Sequence, residues 1–197
     1  MKNFRELFIK EYLQEIHSIL NDMEQDLVKK IDEIATILIL ARNERKTIFI
    51  MGNGGSASTA SHFVSDLSKG TIVPGFLRFK AIALTDNIPT MLAWANDESY
   101  DDIFVEQLKN LMEPGDVIIG ISGSGNSANV VKAIKYANNN GGKTIGISGY
   151  DGGALLQCAK TNIHSPSNYM QRVEDIHLLL EHLLTSLIRE EMQKQNR

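Results

Sequence analysis

Thr47-Ile48-Phe49-Ile50 runs straight into Met51-Gly52-Asn53-Gly54-Gly55-Ser56, and further on Val117-Ile118-Ile119-Gly120-Ile121 runs into Ser122-Gly123-Ser124-Gly125-Asn126-Ser127. A short apolar run bounded by a glycine-rich turn reads as a buried strand. Each turn is followed by a segment with a helical pattern. Glycines let the backbone approach a ligand closely, and the first amides of a helix have no partner within it. Strand, Gly/Ser turn and helix N-terminus together make a site for phosphate. One such turn needs its glycines anyway. Two in one chain, both rich in hydroxyls, favour phosphate binding over plain turn chemistry.

Outward from these turns, residues 80–84 and 143–147 read as further buried strands beside 47–51 and 116–121, with 161–164 a weaker fifth. Long helical patterns separate most of them, as right-handed βαβ crossovers require. Residues 170–193 read as a long helix with Ile176, Leu179, Leu180, Leu183, Leu184 and Leu187 on its apolar side. Residues 4–43 are helical almost throughout, with Phe8, Tyr12, Ile16, Leu20, Met23 and Leu27 recurring at three- and four-residue steps. Asn21-Asp22 is expected to separate two helices there. The expectation is one α/β domain over residues 1–197, a helical arm (1–43) preceding a parallel-sheet core (44–197). The arm and last helix are more apolar than one small sheet needs, which points to packing between subunits. Ligands of such sheets sit beyond the carboxyl ends of the strands, where the strand order reverses.

Composition excludes several classes. Hydrophobic residues make up 43% and charged residues 22% of 197, with a net charge of −4 and no basic block, so a nucleic-acid partner is not expected. Cys158 is the sole cysteine, which rules out an internal disulfide and a cysteine zinc site. The first residues lack the apolar core of a secretion signal, and the apolar stretch 34–41 is too short to span a bilayer. No membrane partner and a cytoplasmic location are the expectations. Nucleotide motifs fail in detail. The third glycine of a dinucleotide fingerprint is replaced by Ala57, and Gly142-Lys143-Thr144 lacks the first glycine of a Walker loop and leads into a strand.

His62 and Asp66 lie four residues apart on the helix opened by the first turn, hence on one face. Such a pair is either a solvated surface pair or part of a site. Glu174, Asp175, His177, Glu181 and His182 form a polar cluster in the leucine-rich last helix. His182 adjoins the apolar stripe, where a histidine is often a packed core residue. Two histidines with two carboxylates also make a nitrogen–oxygen donor set for zinc. Asn96-Asp97 ends a helix and suits either hydrogen bonding to a polyol or a capping turn.

Gly52-Asn53-Gly54-Gly55-Ser56, His62-Phe63, Ala95-Asn96-Asp97 and the run from Gly120 through Asn129 together resemble the phosphoheptose isomerase family of sugar isomerase (SIS) domains. The resemblance extends from about Asn53 to the end of the last helix. It implies a flavodoxin-like doubly wound sheet and a homotetramer. It also implies conversion of sedoheptulose 7-phosphate to D-glycero-D-manno-heptose 7-phosphate, which feeds heptose synthesis for bacterial surface glycans. By position it puts Asn53, Gly54, Gly55, Asn96 and Asp97 on the sugar phosphate. Ser122, Gly123, Ser124 and Ser127 fall on the phosphate loop, Gly123 replacing a usual threonine.

The same resemblance assigns a zinc ion to His62, Asp66, Glu174 and His182, with Asp66 and Glu174 also touching substrate. Asp66 stands for a usual glutamate and reaches about 1.5 Å less far, one C–C bond. Glu174 stands for a usual glutamine and adds a negative charge. In the isomerase reading Asp66 is the base of an enediol mechanism and His182 the acid, with zinc polarising the carbonyl. The alternatives are a SIS isomerase of another phosphosugar and a non-catalytic SIS adaptor or regulator. Adaptors lose the acid and the terminal histidine that Asp66 and His182 retain.

Overall fold

The computed structural model describes residues 2–196. Helix α1 (Lys2–Asn43) leads into β1 (Thr47–Met51) and α2 (Gly55–Ser65). Then follow β2 (Lys80–Ala83), α3 (Ile88–Asp97), α4 (Val105–Leu111), β3 (Val117–Ser122) and α5 (Ala128–Asn139). The chain ends with β4 (Lys143–Gly149), α6 (Gly153–Cys158), β5 (Thr161–Ser165) and α7 (Met170–Gln195). All five strands pair in parallel in the order β2-β1-β3-β4-β5. This is the doubly wound, flavodoxin-like order, which reverses direction between β1 and β3.

Strand side chains alternate between the two faces, and the two faces build two cores. Ile48, Ile50, Ile119, Ile121, Ile145 and Ile147 pack under α1, α2 and α7. Phe49, Met51 and Ile118 pack under α4, α5 and α6. β3 is buried along its whole length. Its Gly120 is where α5 comes closest, since a Cβ there would stand 2.8 Å from Val130 Cγ1.

One sequence expectation is corrected. Asn21 and Asp22 do not break the arm, because α1 is a single helix of 42 residues. Both polar residues are exposed, while Ile19 and Met23 beside them are buried. The intrinsic helix cost of Asn and Asp is about 0.7 kcal/mol each. Burying Ile19 and Met23 returns about 1.5–3 kcal/mol apiece, so packing decides. α1 joins the core through Ile31, Ile34, Leu38 and Ala41, whereas Phe4, Phe8 and Leu13 near its start remain exposed.

Candidate active site

Because β1 has β2 on one side and β3 on the other, the chain leaves β1 and β3 towards opposite faces. α2 belongs to the core of one face and α5 to that of the other. Their N-termini therefore meet over the carboxyl ends of β1 and β3, where Met51 and Gly120 are level. Neither helix has a side chain capping its first amides, so those donors stay available to a ligand. Gly54, ahead of α2, has φ +55° and ψ −123°, a combination that an L side chain rarely adopts.

A cavity of about 250 Å³ opens here, lined by Asn53, Gly54, Gly55, Ser56, Ser122, Gly123, Ser124, Ser127, Met170 and Glu174. The hydroxyls of Ser122 and Ser127 are 2.9 Å apart. Asn53 and Asn129 exchange amide hydrogen bonds of 2.9 and 3.1 Å, and Tyr100 Oη donates to Asn53 Oδ1 at 3.0 Å. This ties the first loop to α5. The carboxylate of Glu174, from α7, lies over Gly55 at the start of α2, and any Cβ there would collide with it. A Cβ at Gly123 would likewise collide with Met170 Sδ. Asn96 and Asp97 are not brought to this cavity. They end α3 in solvent, with Asn96 Nδ2 donating to Asp97 Oδ1 at 2.8 Å. Tyr100, in the turn just after α3, is the group from that segment that reaches the loop.

Further along the crossing of α2 and α7 lies a second cluster. α2 passes without a break into a π-helical turn, Asp66–Gly70, a local widening often found at functional sites. His62 Nε2 stands 3.8 Å from Asp66 Oδ2 and 3.3 Å from His182 Nε2. His182 Nε2 is 3.4 Å from Glu181 Oε2. One ligand atom from each of His62, Asp66, Glu181 and His182 lies within 4.8 Å of the others. A four-coordinate divalent ion with bonds of about 2.0–2.1 Å has ligand–ligand edges of about 3.3–3.4 Å; the two separations from His182 Nε2, to His62 and to Glu181, match them, so the donor chemistry of the set suits a metal.

His62, Asp66 and His182 thus come together as the sequence suggested, and Glu174 does not join them. Glu174 and His182 are eight residues apart on one helix, about 12 Å of rise. The acid that does join, Glu181, was visible as part of the polar cluster on the last helix. Its signal was adjacency to His182.

Burial sets the ionisation of two groups on α7. Glu181 has no exposed surface. Burial, then the neighbouring Asp66 carboxylate, pushes its carboxyl up to about 8. His177 is 1% exposed, and burial lowers its imidazole to about 4. His177 is therefore the packed core histidine of this helix, while the side chain of His182 is 48% exposed.

Comparison with known proteins agrees with this fold. Residues 11–149 match the SIS domain family. A phosphoheptose isomerase of Aliarcobacter butzleri is 38% identical over 186 residues, 93% of this chain and 96% of that protein. One from Geotalea daltonii is 37% identical over 91% of this chain and 95% of its own length. The structure of phosphoheptose isomerase GmhA from Neisseria gonorrhoeae superposes with a TM-score of 0.86 at 29% identity, covering 95% of this chain and 99% of that one. With a five-stranded parallel sheet, paired glycine-serine loops and relatives matching along nearly the whole chain, this protein belongs to the SIS-domain family, within its phosphoheptose isomerase group.

Proposed function

We propose that the chain is an aldose–ketose isomerase acting on sedoheptulose 7-phosphate to give D-glycero-D-manno-heptose 7-phosphate, for the heptose of bacterial surface glycans. The observation that carries the reading is the separation of two clusters along α2. Gly55 and His62 lie seven residues apart on α2, about 10 Å of rise. In an extended heptulose 7-phosphate, seven bonds separate phosphorus from C2, about 9 Å at roughly 1.25 Å projected per bond. A phosphate held at the loops thus sets C1 and C2 near the histidines and carboxylates.

The hydroxyls of Ser122, Ser124 and Ser127 and the open amides of α2 and α5 take the phosphate. Glu174 and the paired Asn53 amide face the sugar chain. Asp66 Oδ2 removes the proton from C1 and returns it to C2. His182 Nε2 gives a proton to O2 and accepts one from O1, so that the enediol collapses to the aldose. His62 and His182 would hold a zinc ion beside Asp66, and the ion would supply a Lewis acid for the developing oxyanion. Binding energy at the phosphate orients the reacting carbons.

A homotetramer is part of the proposal. α1 and α7 border a cavity of about 610 Å³ lined by Leu20, Val28, Leu183 and Leu187, and the last three are exposed in the single chain. The arm and the α/β core are taken as one domain, since α1 shares the core of β1, β3 and α7. No helix among the described residues is long and apolar enough to cross a membrane. A cytoplasmic location suits a phosphosugar, which does not cross bilayers unaided.

The test is NMR-monitored turnover of sedoheptulose 7-phosphate by purified protein, with zinc supplied and after chelation. Conversion supports the isomerase. Binding without conversion transfers support to another phosphosugar or to a non-catalytic SIS adaptor.

A further inference from the structure

A buried carboxylate without hydrogen bonds is costly, and one in a folded protein calls for a missing partner. Glu181 is such a group. It is fully buried, no basic or amide donor reaches Oε1 or Oε2, and the group beside it is a second acid, Asp66. Among the described residues no lysine or arginine pairs with it. The one basic side chain within 4.0 Å of it, among the described residues, is the His182 imidazole, 3.4 Å away. An apolar side chain would pack this position, between Leu180 and Leu184, at lower cost.

We propose that Glu181 is a direct metal ligand in this chain, completing with His62 and His182 a three-residue site for a divalent transition ion and leaving Asp66 to move the proton. The two shortest separations in the cluster, 3.3 Å between the histidine Nε2 atoms and 3.4 Å from His182 to Glu181, equal the edges of a small tetrahedron. Asp66 meets the other histidine, with Oδ2 3.8 Å from His62 Nε2, and all four ligand atoms lie within 4.8 Å of one another. Two imidazoles and one carboxylate form a donor set that suits ions such as zinc and leaves a coordination position open. Glu174 does not compete for this place, because its carboxylate lies over Gly55. A second consequence follows for the short acid. A group held tightly by a cation is a poor base, and Glu181 relieves Asp66 of that duty. The ligand assignment stands independently of the reaction, whereas the proton role of Asp66 rests on the isomerase reading.

The experiment uses the full chain stripped by a chelator. Zn²⁺ affinity is measured by competition with a chromophoric chelator, and coordination by the visible absorption of bound Co²⁺. A direct ligand is worth at least the roughly 10–100-fold in affinity that outer partners contribute. Glu181→Gln is therefore expected to weaken Zn²⁺ by about 100-fold or more and to change the Co²⁺ spectrum. Glu181→Leu, which replaces the buried acid by an apolar side chain of similar size, should abolish the Zn²⁺-dependent rise in Tm. Asp66→Asn should weaken Zn²⁺ far less while removing turnover, and Glu174→Gln should leave Zn²⁺ affinity unchanged. Wild-type affinity in Glu181→Gln overturns the assignment, as does a wild-type protein that binds no Zn²⁺ at micromolar concentration. Glu181-dependent metal binding without turnover keeps the assignment and removes the isomerase. Turnover with no metal binding does the reverse.

Discussion

Acidification should destabilise this fold through one side chain, His177. The imidazole sits on α7 with 1% of its surface exposed, and neither ring nitrogen has a side-chain partner. Burial lowers its pKa from the ordinary 6.5 to about 4; a backbone hydrogen bond at Ser148 opposes this and the nearby His164 adds to it. Between these values the unfolded chain binds the proton and the folded chain does not, so stability is complete above 6.5 and is lost as pH falls towards 4. A difference of about 2.5 units at 1.36 kcal/mol each makes the loss about 3 kcal/mol. That is a large part of the 5–15 kcal/mol typical of a domain. Urea unfolding of wild type and His177→Leu, at one fixed protein concentration between pH 4.5 and 8, reads it directly. Fixed concentration matters because subunit association contributes to apparent stability. Other titrating groups are common to both proteins and cancel in the difference. The advantage of the variant over wild type should grow by about 3 kcal/mol as pH falls. A difference that stays flat across the range refutes the argument, because it would mean that His177 is protonated, or solvated, in the fold.

The remaining predictions concern the site. Asp66→Asn should reduce kcat on sedoheptulose 7-phosphate by at least about 100-fold, the lower range for a general base, with KM changed little in steady-state assays. Ser122→Ala and Ser127→Ala should instead act on phosphate binding, each raising KM by about tenfold for one hydrogen bond to a charged group at about 1.5 kcal/mol. Gly55→Ala should displace the Glu174 carboxylate with which its Cβ would collide. The structure of that variant should show Glu174 moved, and kcat/KM should fall, with the Gly55→Ala/Glu174→Ala double variant recovering part of the loss. Sedimentation equilibrium should give a tetramer, and Leu183→Glu with Leu187→Glu should dissociate it; a wild-type monomer at micromolar concentration refutes the assembly.

The strands and their loops were legible in the order of residues. Buried parallel strands are short apolar runs, and glycine-serine turns at their ends are a local chemical requirement. Residues 47–51 were therefore readable to the residue, and both loops fell on the cavity they form. Helical periodicity likewise placed His62 with Asp66, because a four-residue step is one turn of one face. Periodicity carries no axial distance between partners on a long helix. Glu174 and Glu181, seven residues apart, look equivalent around α7, and only the rise along it separates the phosphate end from the histidine end. The unbroken α1 was equally out of reach, since the cost of Asn21 and Asp22 is local while the packing of Ile19 and Met23 that offsets it is not. Glu181 is the clearest case. Its sequence shows an acid next to a histidine, and neighbours on a helix normally face apart. Which of the acids on α7 is buried against His182, His62 and Asp66, and which lies over Gly55, depends on how α7 crosses α2. That crossing is set by the packing of Phe63, Leu67, Ile176, Leu180 and Leu184 against the sheet, and only the tertiary structure contains it.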